Sequence, residues 1–365
     1  MTTTRFFLAG ALLLGGTACS DTASPNTAGS PDAAASLSAG VGTKDVVLLT
    51  QNLYVGADVD AVLLALGTPD PDDDVAALMA AIETLQRTDF PARAAALARK
   101  IRNTRPHAVG LQEVSVIEIV LPPLGLDLRI EFLPILLQAL TDEGLNYQVA
   151  AQVQNIDASP TAGVRQVDFD VLLVDAERVT VHAASGQNFS DNVGPLAPGV
   201  SLIRGWVQAD VTIAKRRLTL VSAHPEPNLG DVSFADLRAL QMAEIADSLD
   251  GVPSAVIMGD LNDIPGSPMY QILRQAGFTD TWAALRPGQI GFTCCHAPDL
   301  SNDQIQFDER IDYIFAKGFA RGRHEVLGEA RRLGIDPANR PVGQAGEIWI
   351  SDHAGLLATL RLPPR

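Results

Sequence analysis

The sequence predicts an α/β fold, and three observations predict it. From Lys44 onward, short β-branched apolar runs alternate with helical apolar patterns, with hairpins inserted between them. Several of these runs stop abruptly at polar residues, as strands do when they deliver side chains to the end of a sheet. Hydrophobic residues make up 47% of the 365-residue chain, enough to bury a sizeable core. Aromatics are only 5%, so that core rests on Ala, Val, Leu and Ile. The formal net charge of -16 repels polyanions overall. There is no basic run of the kind that tight, non-specific nucleic-acid binding uses.

The first residues read as a targeting segment. Arg5 precedes the apolar run Phe6 to Leu14, which has the length of a signal-peptide core and is too short to span a bilayer. The run leads to Gly16-Thr17-Ala18-Cys19, which resembles the lipobox of bacterial lipoproteins, with Gly16 where those usually carry Leu. This predicts a signal peptide over 1–18, a lipid on Cys19 and an exported protein. Ordinary secretion with cleavage at another small residue is the alternative. Residues 19–43, rich in Ala, Ser, Thr, Gly, Pro and Asp, read as a flexible linker, and 44–365 as the folded domain. No later segment reads as transmembrane.

Asp45 to Thr50 predicts a strand that ends in Gln51-Asn52. Residues 57–90 carry a helical pattern interrupted at Pro69 to Asp74, read as a solvated acidic loop because it lacks the Gly and terminal Glu of a calcium loop. Pro91 to Arg105 predicts an amphipathic helix, with Ala94, Leu97, Ala98 and Ile101 on one face. Ala108 to Leu111 predicts a strand ending in Gln112-Glu113. The apolar 116–140 stretch reads as a loop around Pro122-Pro123 near the site, then a helix closed by Gly144. Tyr147 to Val153, Asp168 to Val174, Leu202 to Ile213 and Arg217 to Ala223 predict strands, the last ending at His224. Asp236 to Leu249 predicts a helix.

The next stretch, Val256 to Asp263, reads as a short strand turning sharply at Gly259, with Asp260 and Asn262 two apart and facing one side. A carboxylate and a carboxamide there are placed to hold a water against an electrophile. Asp263 is read as facing away and capping the following turn. Glu309 to Phe315 predicts a strand that buries Asp312, which then needs a partner. Ser351-Asp352-His353 precedes the last strand. If Cys19 carries lipid, Cys294 and Cys295 remain. Two separate, partly buried thiols are favoured over a vicinal disulfide.

Gln51-Asn52, Gln112-Glu113, Ser222-Ala223-His224, Gly259-Asp260-Leu261-Asn262, Arg310-Ile311-Asp312-Tyr313 and Ser351-Asp352-His353 follow one another in an order that resembles the endonuclease/exonuclease/phosphatase superfamily. The resemblance spans 45–360. It implies a four-layer α/β sandwich: two mixed β-sheets packed face to face, helices outside. It further implies a hydrolase of phosphoric esters that uses Mg²⁺, with Mn²⁺ or Ca²⁺ as alternatives. Glu113, Asn52 and Asp352 match its metal positions, and Asn52, Asn262 and His353 its phosphate contacts. Asp260 matches the residue that orients or deprotonates the attacking water. Asp312 matches the acid bonded to His353, and His224 stands where the deoxyribonuclease branch carries a His. Phe169 departs from the polar or basic residue many relatives carry. A phosphodiesterase is expected, acting on nucleic acid, phospholipid or a small phosphodiester, and the apolar 116–137 stretch leans toward lipid. No protein partner is implied beyond the membrane contact through Cys19. The alternative is a catalytically silent envelope binding protein that keeps the scaffold.

Overall fold

All eight residues of the first strand, β1 (Asp45–Asn52), are buried, because both of its faces are covered. Val47 and Leu49 pack with the helices on one side, Val46 and Leu48 against a second sheet on the other. The computed structural model describes residues 45–68, 70–321 and 325–362. The expected signal peptide, Cys19 and the linker to residue 43 lie outside the described residues.

After β1 come α1 (Val59–Leu66), α2 (Pro71–Arg87) and α3 (Phe90–Thr104), then β2 (Ala108–Gln112), β3 (Val116–Leu121), β4 (Leu126–Glu131) and α4 (Phe132–Asp142). A run of strands follows: β5 (Tyr147–Thr161), β6 (Val164–Asp175), β7 (Val179–Asn188), β8 (Gly194–Ala197), β9 (Val200–Leu202), β10 (Gly205–Ile213) and β11 (Arg216–His224). The chain then forms α5 (Ala235–Ser248), β12 (Ala255–Asp260), α6 (Pro268–Gln275), β13 (Thr279–Asp280), α7 (Thr281–Leu285) and β14 (Asp312–Lys317). The strands Gly328–Leu333 and Gly355–Arg361 come last in the main architecture.

One sheet runs Gly328–Leu333, Gly355–Arg361, β1, β2, β6, β5, β9, β8, with the β3–β4 hairpin attached to β6. The other runs β13, β14, β12, β11, β10, β7. Both are mixed: β1 is parallel to β2 and antiparallel to Gly355–Arg361, while β11 is parallel to β12 and antiparallel to β10. Between the sheets, Leu48, Leu172, Val207, Leu220, Met258 and Leu356 share one core. Outside the first sheet, Leu97, Ile101, Phe132 and Leu136 of α3 and α4 pack on β1 and β2. Outside the second, Met242, Ile245, Met269 and Leu273 of α5 and α6 pack on β11 and β12. The result is the four-layer sandwich, helix–sheet–sheet–helix. Among the described residues, no helix is long and apolar enough to cross a membrane.

Four local expectations change. The acidic run after Pro69 is not a loop. Asp70 caps α2, its carboxylate accepting from the Asp72 amide at 3.0 Å, and Asp72, Asp73 and Asp74 occupy the first turn, where the helix dipole favours negative charge. The stretch around Pro122-Pro123 is a β-hairpin, β3 with β4, whose buried Ile117 and Ile119 alternate with half-buried partners on a sheet face. The predicted strand Leu202 to Ile213 is two strands, β9 in the first sheet and β10 in the second, and the chain changes sheets at Ile203-Arg204. Finally, Gly259 lies inside β12 and does not turn the chain. At φ 156° it brings β12 so close to β11 that a Cβ would lie 1.9 Å from the Ala223 carbonyl oxygen. The turn falls at Asn262, which adopts the left-handed conformation (φ 54°).

His107 leads into β2. Its Nδ1 accepts the Val47 amide at 3.0 Å, so the ring works as a neutral acceptor. Burial first, and the Arg178 charge second, hold its pKa down at about 4. Against an unfolded value near 6.5, the unfolded chain binds this proton more readily. The contribution is fully present above about pH 6.5 and is lost as pH falls toward 4, on the order of 3 kcal/mol in all. Urea unfolding at pH 7 and pH 5 should therefore show a larger loss of stability for the wild type than for His107→Asn, whose side-chain oxygen keeps the acceptor but does not titrate. Equal losses in the two proteins would rule this out.

Candidate active site

Strand directions bring the polar ends together. β1 and β2 are parallel, so Asn52 and Glu113 leave the same end of the first sheet, and antiparallel Gly355–Arg361 starts there, preceded by Asp352 and His353. In the second sheet, parallel β11 and β12 end in His224 and Asp260, and antiparallel β14 begins with Asp312 directly opposite Asp260. The two ends enclose a cavity of about 440 Å³ lined by Glu113, Arg204, His224, Asp260, Asn262, Asp352 and His353, among others.

Asn52 ties the sheets together. Its Nδ2 donates to Glu113 Oε1 at 2.9 Å and to Asp260 Oδ2 at 3.1 Å, and its Oδ1 accepts from the Tyr54 amide at 2.8 Å. The resemblance gives Asn52 a supporting role toward cation and phosphate. The residue is fully buried behind the cavity wall and its amide is committed, so it positions the two carboxylates. Glu113 itself sits at φ 55°, a conformation uncommon outside glycine, which swings its carboxylate back over β1; Oε2 accepts from the Val55 amide at 2.8 Å. Asp260 Oδ1 accepts the Asn262 amide at 3.0 Å, so the pair forms a turn rather than alternating along a strand. Asn262 Nδ2 donates to the Pro225 carbonyl at 3.0 Å. Asp263 points to Arg238 and accepts the Ile264 amide at 3.0 Å, in line with its expected capping.

The two histidines beside Asp260 are held in opposite charge states. His353 Nδ1 donates to Asp312 Oδ2 at 2.9 Å, and its Nε2 lies 3.7 Å from Asp260 Oδ2 and 3.9 Å from Asp352 Oδ1. Burial alone would depress its pKa, but Asp312, Asp352 and Asp260 together carry it well above the usual value, so it is an imidazolium. His224 Nε2 is also 3.7 Å from Asp260 Oδ2, but burial and the Arg204 charge push its pKa well down. Arg204 Nη1 donates to His224 Nδ1 at 3.3 Å; a guanidinium has no acceptor, so the neutral ring carries its proton on Nε2. Asp260, raised by burial against the pull of His353, reaches about 7.

The donor set suits a hard divalent cation. Glu113 and Asp352 line one cavity, and each carboxylate oxygen of Glu113 is spent on a single hydrogen bond, leaving lone pairs free. Burial, opposed by the His353 charge and reinforced by that of Glu113, raises the Asp352 carboxyl above its usual range. All-oxygen ligands of this kind fit Mg²⁺. Asp260, Asp312 and His353 also converge, with ligand atoms within 4.8 Å of one another. The hydrogen bond between His353 and Asp312 occupies that group as an acid–base pair.

Several residues of the site escaped the sequence reading. Among the described residues, Arg204 is the only Lys or Arg lining the cavity, buried beside Glu226 (Nε to Oε1, 3.4 Å). An Arg inside a predicted apolar strand was its signal. Asp168 lines the cavity and accepts from Ser115 Oγ at 3.0 Å; its neighbour Asp170, whose alternation with apolar residues did mark it in the sequence as facing a site, is fully buried 3.8 Å from His224 Nδ1. Arg93, on the core face of α3, donates to the carbonyls of Thr88 (2.8 Å), Tyr54 (3.0 Å) and Ile350 (3.2 Å), pinning the loops that carry Tyr54 and lead to Asp352. Cys294 and Cys295 lie side by side at the cavity, with Cys295 Sγ 3.9 Å from His353 Nε2.

Comparison with known proteins places this geometry. Residues 49–353 match the family model described as the endonuclease/exonuclease/phosphatase family. No curated protein matches the sequence. Among solved structures, a family protein from Bacteroides thetaiotaomicron superposes with a TM-score of 0.56 at 11% identity, over 88% of this chain and 98% of that one. A family protein from Leptotrichia buccalis C-1013-b gives 0.54 at 16% identity, over 87% and 100%. One from Bacteroides vulgatus gives 0.53 at 17%, over 87% and 99%. At these identities the likeness is one of fold. With the family match covering most of the chain and six polar strand ends meeting at one cavity, the protein belongs to the endonuclease/exonuclease/phosphatase family, whose chemistry is the hydrolysis of phosphoester bonds.

Proposed function

We propose that the protein is a divalent-metal-dependent phosphodiesterase that acts outside the cytoplasm. The observation that carries the catalytic part is Asp260. Two hydrogen bonds, from Asn52 and from the Asn262 amide, fix its carboxylate, and it lies 3.7 Å from both a cationic and a neutral imidazole. A carboxylate poised near 7 is matched to taking a proton from water at neutral pH. As the water oxygen attacks phosphorus and the bond to the departing alkoxide breaks, charge builds on the phosphoryl oxygens. The imidazolium of His353, locked by Asp312, faces the cavity to meet it. Arg204 adds a second fixed positive charge, and Asn262 a polar group beside Asp260. His224 presents a neutral Nε2–H toward Asp260 and serves as a hydrogen-bond donor rather than a cationic acid. Glu113 and Asp352 would hold the cation, Mg²⁺ before Mn²⁺ or Ca²⁺, which when bound supplies Lewis-acid neutralisation of phosphate charge.

A diester is favoured over a monoester on charge. Asp58, Asp60, Glu113, Asp168, Asp260, Glu309 and Asp352 line the cavity and outnumber the cations Arg204 and His353, so a singly charged diester is less repelled than a dianion. Purified 44–365 should turn over bis-p-nitrophenyl phosphate, DNA or sphingomyelin only with added divalent cation. Asp260→Asn should lower kcat by at least about a thousandfold while leaving the circular dichroism spectrum unchanged. Absence of turnover across the three substrates would return the reading to a silent envelope binding protein.

The extracytoplasmic address rests on the leader and on Cys19, which would tether the domain to a membrane through a lipid. Mass spectrometry of the mature protein should find an acylated Cys19 at its N-terminus. An unmodified end at another position would exclude the anchor.

A further inference from the structure

Beside the polar cavity lies a second, almost wholly apolar cleft of about 80 Å³, several times what one water needs (about 10–15 Å³). Leu78 and Ala81 of α2 form one wall, and Ile117 of β3 and Val164 of β6 another. The two spaces adjoin: Val55, Ala57, Val59, Leu63 and Gln166 line both. Val55 marks how close the cleft comes to the reaction centre. The residue lines the cleft, and its amide holds Glu113 Oε2 at 2.8 Å. An apolar space leaves its lining without contacts and offers water no partner. Adjoining the acidic site, it suits an apolar group attached to the phosphate itself.

We propose that this cleft is the substrate subsite for a linear alkyl chain, so that the natural substrate is an amphiphilic phosphodiester. The inference rests on the phosphodiesterase reading and adds the substrate class to it. The polar part of the substrate sits among Asp260, His353 and Arg204. The chain runs past Val55 and Leu63 between α2 and the β3–β6 face, and each methylene that leaves water there tightens binding. Ile117 comes from the apolar 116–137 stretch, which gives that stretch a role at the site.

The test uses dimethyl, methyl butyl and methyl octyl phosphate, each below its micellar concentration, as competitors of bis-p-nitrophenyl phosphate hydrolysis by the 44–365 protein. Burial of a methylene corresponds to about a fourfold gain, so the inhibition constant should fall at least about tenfold from dimethyl to methyl octyl phosphate. Ala81→Trp, which fills the cleft from a half-buried position, should abolish this dependence while leaving the dimethyl phosphate constant unchanged. Leu78→Gln, a second half-buried lining position, should weaken it. If the reporter is hydrolysed but competitor strength ignores chain length, or both variants keep the wild-type dependence, the subsite is overturned and the phosphodiesterase reading stands. If the reporter is not hydrolysed at all, that reading falls and the subsite with it.

Discussion

Asn52 gives the hydrogens of its side-chain amide to two carboxylates that belong to different sheets, Glu113 at 2.9 Å and Asp260 at 3.1 Å. Without that donor the two acids would lose the one hydrogen-bonding group they share across the sheets. The amide itself is held by the Tyr54 N–H, and the Asn52 carbonyl accepts from Ser351 Oγ at 2.7 Å and from Gln51 Nε2 at 2.7 Å. The segment preceding His353 is thereby fixed to the same residue. Deeper in, Gln112 Nε2 donates to Ser222 Oγ at 2.9 Å across the sheet interface, and Thr50 Oγ1 donates to Gln112 Oε1 at 3.1 Å. A ladder of buried polar contacts thus runs from the core to the site and sets the spacing of the two sheets where the chemistry is done.

On that frame, electrostatics divides labour between residues of one type. His353 and His224 lie at equal distances from Asp260, yet one is paired with Asp312 and the other with Arg204. The partner decides the charge: a carboxylate partner makes the first ring a cation, and a guanidinium keeps the second neutral. The apolar cleft extends this arrangement, because the backbone that leaves β1 serves both sides. Its amide at Val55 steadies Glu113, while Val55, Ala57 and Val59 line the apolar space.

The layered fold and the six polar strand ends were legible in the sequence because strand ends announce themselves: an apolar run stops and a polar pair follows. The pairing of Asp312 with His353, and the turning of Asp263 away from the cavity, agree with that reading. What stayed hidden depends on backbone conformation and long-range approach. Glu113 and Asn262 reach the site through left-handed residues that no periodicity reports. Gly259 is required by the closeness of Ala223, a neighbour 36 residues earlier in the chain. Arg204 was concealed because two strands in different sheets read as one apolar run. The acidic residues after Asp70 read as a loop in the sequence because charge density masks a helix whose N-terminus attracts it.

Asn52 acts by holding Glu113 and Asp260 in register across the sheets. The most direct measurement is the kcat of Asn52→Ala on bis-p-nitrophenyl phosphate, read beside its thermal midpoint. Loss of one buried organising donor should lower kcat by about a hundredfold or more while the variant still melts in a single cooperative transition. A variant that keeps kcat within a few-fold of the wild type would contradict the account.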